Sequence, residues 1–119
     1  MFEFICYPKC TTCQKARKWL DEHSIAYTER NIKEDTPSYE ELREILERSD
    51  KPAKKLFNTS GILYRQMGLK DKLSEMTEDD MLRLLSTDGM LIKRPIFTGS
   101  GIALIGFREK EWSEKLLDI

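Results

Sequence analysis

The residues of this sequence best placed to do chemistry are Cys10-Thr11-Thr12-Cys13. A cysteine acts as a nucleophile in its thiolate form, and a second cysteine three positions on lies one turn up the same helix face. That spacing suits the short Cα separation of a disulfide. Such a pair can attack a substrate through one sulfur and resolve the product by closing an internal disulfide. Pro8 pushes Tyr7 into an extended conformation, so the chain is expected to turn and enter a helix at Cys10. There the unpaired backbone N–H groups and the macrodipole favour an anion, and Lys9 adds a positive charge. A free thiol of pKa about 8.5 is roughly 3% ionised at pH 7, and a pKa of about 6 would make it roughly 90% ionised. The gain of about thirtyfold in thiolate is offset by about tenfold in intrinsic nucleophilicity, so the larger benefit is a better leaving group. The pair suits turnover between thiol and disulfide. Cys10 is therefore expected to titrate below a free thiol and to be alkylated first. Oxidation is expected to join Cys10 to Cys13 and leave Cys6 reduced.

Other chemistries fit the spacing less well. Cys10 and Cys13 have a zinc-ligand separation, with Cys6 and His23 as further donors, but no second C-x-x-C or H-x-x-H follows and His23 lies most of a helix away. Cys6, Cys10 and Cys13 also spell C-x3-C-x2-C, an iron–sulfur spacing used in radical enzymes whose barrel is much larger than 119 residues allow. Cys6 belongs to an apolar run and reads as a small core residue.

The elements that must position the pair are legible. Phe2-Glu3-Phe4-Ile5-Cys6 reads as a buried strand, and Ala16, Trp19, Leu20 and His23 give the following stretch a helical period. The alternation from Ile25 to Ile32 marks a second strand, which makes a parallel β-α-β unit. Ser38 with Glu41 forms a capping box ahead of the stripe Tyr39, Leu42, Ile45 and Leu46. Short helices are expected over 53–57 and 62–67, around a turn containing Asn58, with Gly68 closing the second. Thr77 with Asp80 starts another helix, buried on Met81, Leu82, Leu84 and Leu85 and ended by Gly89. Residues 96–98 and 102–105 flank Gly99-Ser100 as a hairpin, and a last helix runs over 109–117 with Trp112 in the core. His23 is expected to be structural. The order β-α-β, helices, β-β-α predicts an α/β protein with a thioredoxin-like fold, a mixed four-stranded sheet with a helical insertion. The expected organisation is a single domain over 1–119, with core 1–35 and 89–119 and the insertion over about 37–88.

Hydrophobic residues make up 39% and charged residues 34% of the chain, and the net charge of −1 comes from interspersed signs. That balance argues against direct nucleic-acid binding, and no apolar run is long enough for a membrane span. Reactive, reduced cysteines without a signal peptide point to the cytoplasm.

Together with Cys10-Thr11-Thr12-Cys13, three further stretches carry a family resemblance: Leu56-Phe57-Asn58-Thr59-Ser60-Gly61, Gly89-Met90-Leu91-Ile92-Lys93-Arg94-Pro95-Ile96 and Gly106-Phe107-Arg108. The chain resembles the ArsC-like family over nearly its whole length. That group contains glutaredoxin-dependent arsenate reductases and the Spx regulators of RNA polymerase. The resemblance implies a catalytic Cys10, with Arg94 and Arg108 matching two of three arginines that hold an oxyanion. Asn58 stands where the third is expected. Cys13 departs from the arsenate reductases and matches the C-x-x-C switch of Spx. Thr59-Ser60, where Spx is expected to carry an arginine, and Arg108 depart from Spx. The expected catalytic set is Cys10, Cys13 and Arg94, with Arg94, Pro95, Arg108, Lys9, Thr11 and Thr12 binding substrate and no metal or bound cofactor. Reducing equivalents are expected from glutathione/glutaredoxin or thioredoxin. The substrate is expected to be a small oxyanion or a thiol or disulfide; the alternative is an Spx-like regulator that binds the RNA polymerase α subunit. Pro95 begins the returning hairpin at the sheet end facing Cys10, a position that predicts a cis Arg94–Pro95 bond, although only about 5–6% of X–Pro bonds are cis.

Overall fold

The computed structural model describes residues 2–117. Strand β1 (Phe2–Cys6), helix α1 (Thr11–Glu22) and strand β2 (Tyr27–Asn31) come first. β1 and β2 are parallel, from Phe2 opposite Tyr27 to Cys6 opposite Asn31. The chain returns as β3 (Ile96–Gly99) and β4 (Ile102–Ile105), giving a mixed four-stranded sheet of order β2-β1-β3-β4 in which β1–β3 and β3–β4 are antiparallel. Between β2 and β3 lie α2 (Tyr39–Ser49), α3 (Ile62–Gln66), α4 (Leu69–Lys72) and α5 (Glu78–Leu85), and α6 (Glu109–Leu116) closes the chain. The fold is α/β and thioredoxin-like, as expected. No helix of the described residues is long and apolar enough to cross a membrane.

Strand alternation divides the core into two halves. Phe4 and Cys6 of β1 join Cys13, Ala16, Leu20, Phe97 and Trp112 on the face covered by α1 and α6. Ile5, one residue out of phase, joins Leu42, Leu56, Leu82 and Ile96 on the face covered by the inserted helices. The same alternation that buries Phe4 therefore points Cys6 at α1.

Both capping boxes form: Ser38 with Glu41 starts α2, and Thr77 with Asp80 starts α5. Two expectations are corrected, and one stretch is helical where none was expected. Helix α5 ends at Leu85 with Ser86 as its cap, so Gly89 does not terminate it. Gly89 instead opens a 3-10 turn over Gly89–Leu91, where an added Cβ would lie 1.9 Å from the Ile32 carbonyl oxygen; the glycine is needed for close backbone approach. The β3–β4 loop is Ser100-Gly101, because Gly99 still pairs with Ile102, and the positive φ values of 49° and 80° are those of a tight hairpin turn. The stretch after Gly68 also continues as α4 and a 3-10 turn over Leu73–Glu75, a segment too short and too polar to show a period.

Arg30 ties β2 to α2. Its guanidinium lies 2.7 Å from Glu41 Oε2, and it also meets Asp35 and Glu3. With Ser38 adding its hydrogen bond, the Arg30 guanidinium holds the Glu41 carboxyl well below the usual carboxylate range, at about 2. A depressed carboxylate stabilises the fold above its unfolded pKa, and that stability is lost as pH falls from about 4.5 towards 2. Glu41 is half-exposed, so solvent screening keeps the effect modest. Wild-type stability should fall over this window more steeply than that of Glu41→Gln, followed by chemical denaturation. Parallel pH profiles would contradict this role of the pair.

Candidate functional site

One wall of the site is the turn from β1 into α1. The Cys10 amide donates to the Tyr7 carbonyl at 3.0 Å, and the Gln14 side-chain amide donates to the Pro8 carbonyl at 3.1 Å. Cys10 is the N-cap of α1, with extended φ and ψ of −84° and 123° and no side-chain capping bond. The first turn of the helix carries no acidic residue, so nothing of like charge competes with an anion there.

The facing wall is assembled from two distant stretches. Phe57 pairs with Ile92 in an isolated antiparallel bridge, flanked by the Asn58 amide to the Leu91 carbonyl at 2.8 Å and the Lys93 amide to the Leu56 carbonyl at 2.7 Å. The inserted segment is thereby fixed to the chain entering Arg94-Pro95, and the Arg94–Pro95 bond is cis as expected. On the other side of β3, the Gly106 amide donates to the Pro95 carbonyl at 2.8 Å, and the indole N–H of Trp112 donates to the Gly106 carbonyl at 3.0 Å.

Between the walls opens a cavity of about 640 Å³, lined by Cys10, Thr12, Asn58, Arg94, Phe107 and Arg108 among others. The fold thus brings Cys10, Thr12, Arg94 and Arg108 onto one cavity from three separate places in the chain. Lys9 and Thr11 are exposed and do not line it, and Pro95 is buried behind Arg94. Asn58 lines it while its carbonyl accepts from the Gly61 amide, so it is both a turn residue and part of the wall. The Arg94 guanidinium carbon stands 5.3 Å from the centre of the Tyr7 ring. Its Nε and Nη1 are buried and have no hydrogen-bond partner. A cationic fork with unused donors on the cavity that Cys10 also lines suits an anionic group.

Cys13 is fully buried and accepts from the Tyr7 amide at 3.4 Å. Cys6, also fully buried, receives an Arg17 Nη2 contact at 3.6 Å, while Arg17 pairs with Glu29 at 2.7 Å. The Cys13 thiol, as a hydrogen-bond neighbour, holds Cys6 below the usual thiol range against its burial. Cys6 and burial together push Cys13 well above that range. Cys6 is therefore the more easily ionised thiol of this pair, yet it has no exposed surface through which to attack a substrate. Cys10, partly exposed and on the cavity, is the thiol an external molecule can reach. The Cys6–Cys13–Arg17 contact is the feature that sequence reasoning missed, although strand parity and the C-x3-C-x2-C spacing both carried its signal. Among the described residues, no group of three or more His, Cys, Asp and Glu side chains is gathered as a metal would require.

A mixed four-stranded sheet with a cysteine at the start of its first helix defines a thioredoxin-like class of fold. Within that class, the chain belongs to the ArsC family, whose model matches residues 6–115. It is 50% identical over 111 residues to the uncharacterized protein YusI of Bacillus subtilis, covering 93% of this chain and 94% of that one. It is 34% identical over 104 residues to the global transcriptional regulator Spx of Enterococcus faecalis, covering 87% of this chain and 77% of the regulator. Among solved structures, an ArsC-family-related protein from Bacteroides fragilis superposes with TM-score 0.92 at 46% identity, covering 95% of this chain and 97% of that one. A possible arsenate reductase from Streptococcus mutans does so with TM-score 0.86 at 42% identity, covering 95% and 98%.

Proposed function

We propose that this protein is a thiol–disulfide oxidoreductase of the arsenate-reductase-like type, with Cys10 as nucleophile and Cys13 as resolving thiol. The observation that carries this reading is the partly exposed Cys10 on the cavity that Arg94 also lines, with two of the arginine's guanidinium nitrogens buried and unpartnered. Cys10 attacks a small oxyanion such as arsenate, or the sulfur of a thiol-linked substrate, and Cys13 displaces the product as the Cys10–Cys13 disulfide forms. Arg94, with Arg108 and Thr12 at the rim, binds the negative charge of the substrate. Glutathione/glutaredoxin or thioredoxin returns the pair to thiols, with no bound cofactor, in the cytoplasm.

Turnover with arsenate and with small disulfides, each supplied with glutathione/glutaredoxin or with thioredoxin, tests the reading. Arg94→Met should raise KM for an anionic substrate about 10- to 100-fold, the worth of one charge-assisted bond pair. KM for neutral 2-hydroxyethyl disulfide should stay within about threefold, since that substrate does not draw on the charge. Equal losses on both substrates would remove Arg94 from substrate binding, and no turnover with any pairing would overturn the reading.

The similarity to Spx supports a second reading, in which the C-x-x-C disulfide switches binding to the RNA polymerase α subunit. A stable, redox-dependent complex with purified α subunit, without turnover, would favour it.

A further inference from the structure

We propose that Cys6 is a third redox thiol of this site: it takes over the disulfide from Cys10–Cys13 by exchange inside the chain, leaving a buried Cys6–Cys13 bond and a free Cys10. The inference rests on the oxidoreductase reading, which supplies the Cys10–Cys13 disulfide as starting material. It is carried by placement. Cys6 ends β1 on the face turned to α1, and its carbonyl accepts from the Ile32 amide at 2.9 Å, which holds that strand end in register. Cys13 lies one turn into α1 in the same buried cluster, with Cys10 packed against it. The Tyr7 amide, next in chain after Cys6, is bonded to the Cys13 sulfur, so the backbone itself keeps the two cysteines together.

Cys13 shares its buried cluster with Cys6 and has Cys10 packed at the cluster's edge, so it stands between them in the relay. Arg17 Nη2 lies 3.6 Å from the Cys6 sulfur, but the Glu29 carboxylate that holds Arg17 opposes an anion there, so the pair fixes the position of Cys6 and does not charge it. Neither Cys6 nor Cys13 has exposed surface, so an outside oxidant or substrate disulfide reaches Cys6 only through Cys13.

The step balances within the protein. The Cys6 thiolate attacks Cys13 Sγ; the Cys6–Cys13 bond forms as the Cys10–Cys13 bond breaks, and Cys10 leaves as a thiolate. Cys6 is oxidised, Cys10 is reduced, and the oxidation state of the chain is unchanged. A proton lost from Cys6 beforehand is matched by one available to Cys10 afterwards. The bridge so formed is sealed from reductants until Cys10 attacks Cys13 and brings the disulfide back to the surface.

Trypsin separates the outcomes cleanly. Cleavage after Lys9 and Lys15 puts Cys6 in peptide 1–9 and both Cys10 and Cys13 in peptide 10–15. The reduced full-length protein is treated with one equivalent of diamide, quenched with acid over a time course, alkylated in denaturant, digested and mapped. The first product should be peptide 10–15 with an internal bridge and labelled Cys6. It should convert to a cross-linked 1–9/10–15 pair with the label on Cys10, reaching at least about a tenth of the oxidised chain if the exchange lies within a power of ten of balance. Cys6→Ala should retain the first product and lose the second. An internal bridge that persists with Cys6 fully labelled overturns the relay and leaves the oxidoreductase reading intact. A cross-link with the label on Cys13 overturns the relay as well, and the absence of any bridge overturns both.

Discussion

Replacing Cys10 by serine should lower disulfide-reducing turnover at least about 10³-fold, to the uncatalysed background, while leaving the fold as stable or slightly more stable. An alcohol cannot form the S–S intermediate, and nucleophile removal in enzymes with covalent intermediates costs several powers of ten. The stability half of the expectation follows from the position. Cys10 is an N-cap whose side chain makes no capping bond, and serine is among the residues that supply one. Cys10→Ser should therefore gain about 0.5–1 kcal/mol, read by denaturant unfolding. The opposite signs matter: activity and stability are separated at one atom. A variant that keeps more than a few per cent of wild-type turnover would move the nucleophile elsewhere. Loss of both activity and stability would make the first result uninterpretable as chemistry and contradict the capping geometry.

The second large effect is expected far from the sulfur. Trp112 is fully buried, stacks on Phe97 with ring centres 5.2 Å apart, and meets Phe107 edge-on at 4.9 Å. Its indole N–H bonds the Gly106 carbonyl, whose residue is also hydrogen-bonded to Pro95. The side chain thus fills the core under α6 and braces the loop that carries Phe107 and Arg108 into the cavity. Trp112→Ala should cost about 3–5 kcal/mol through lost burial and the residual cavity. That is a large share of the roughly 5–15 kcal/mol available to a domain, with a fall in Tm of roughly 10–20 °C. Trp112→Phe keeps most of the packing but orphans a buried carbonyl, and should cost about 1–3 kcal/mol. A loss below about 1 kcal/mol for the alanine variant would show that α6 is not part of the cooperative core.

Much of this was legible in the residues because several local signals agree. The β-α-β start, the two capping boxes and the pre-proline arginine each have a short-range physical cause, and each is found in place. From sequence, Gly89 reads as a helix stop because glycine most often marks a backbone turn. Its actual constraint is the Ile32 carbonyl, from a segment more than fifty positions earlier, and no local pattern carries that. The hairpin slipped by one residue because Gly99-Ser100 and Ser100-Gly101 are equally good turn pairs until strand register chooses. The cavity is the least local feature of all. Asn58 faces Cys10 only because Phe57 pairs with Ile92, a contact between two irregular segments. Cys6 is a different case. Alternation along β1 already placed it on the face of α1, so its contact with Cys13 could have been foreseen from parity alone.

The central claim, that Cys10 takes a substrate sulfur and Cys13 expels it, is tested most directly by trapping the intermediate. Cys13→Ser protein is mixed with 2-hydroxyethyl disulfide, quenched, and read by intact mass and peptide mapping beside the wild type. A stable mixed disulfide on Cys10, close to one per chain, is the predicted result, with the wild type passing through the same adduct to an internal bridge. An adduct on Cys6, or no adduct under conditions where a free thiol reacts, would contradict the account.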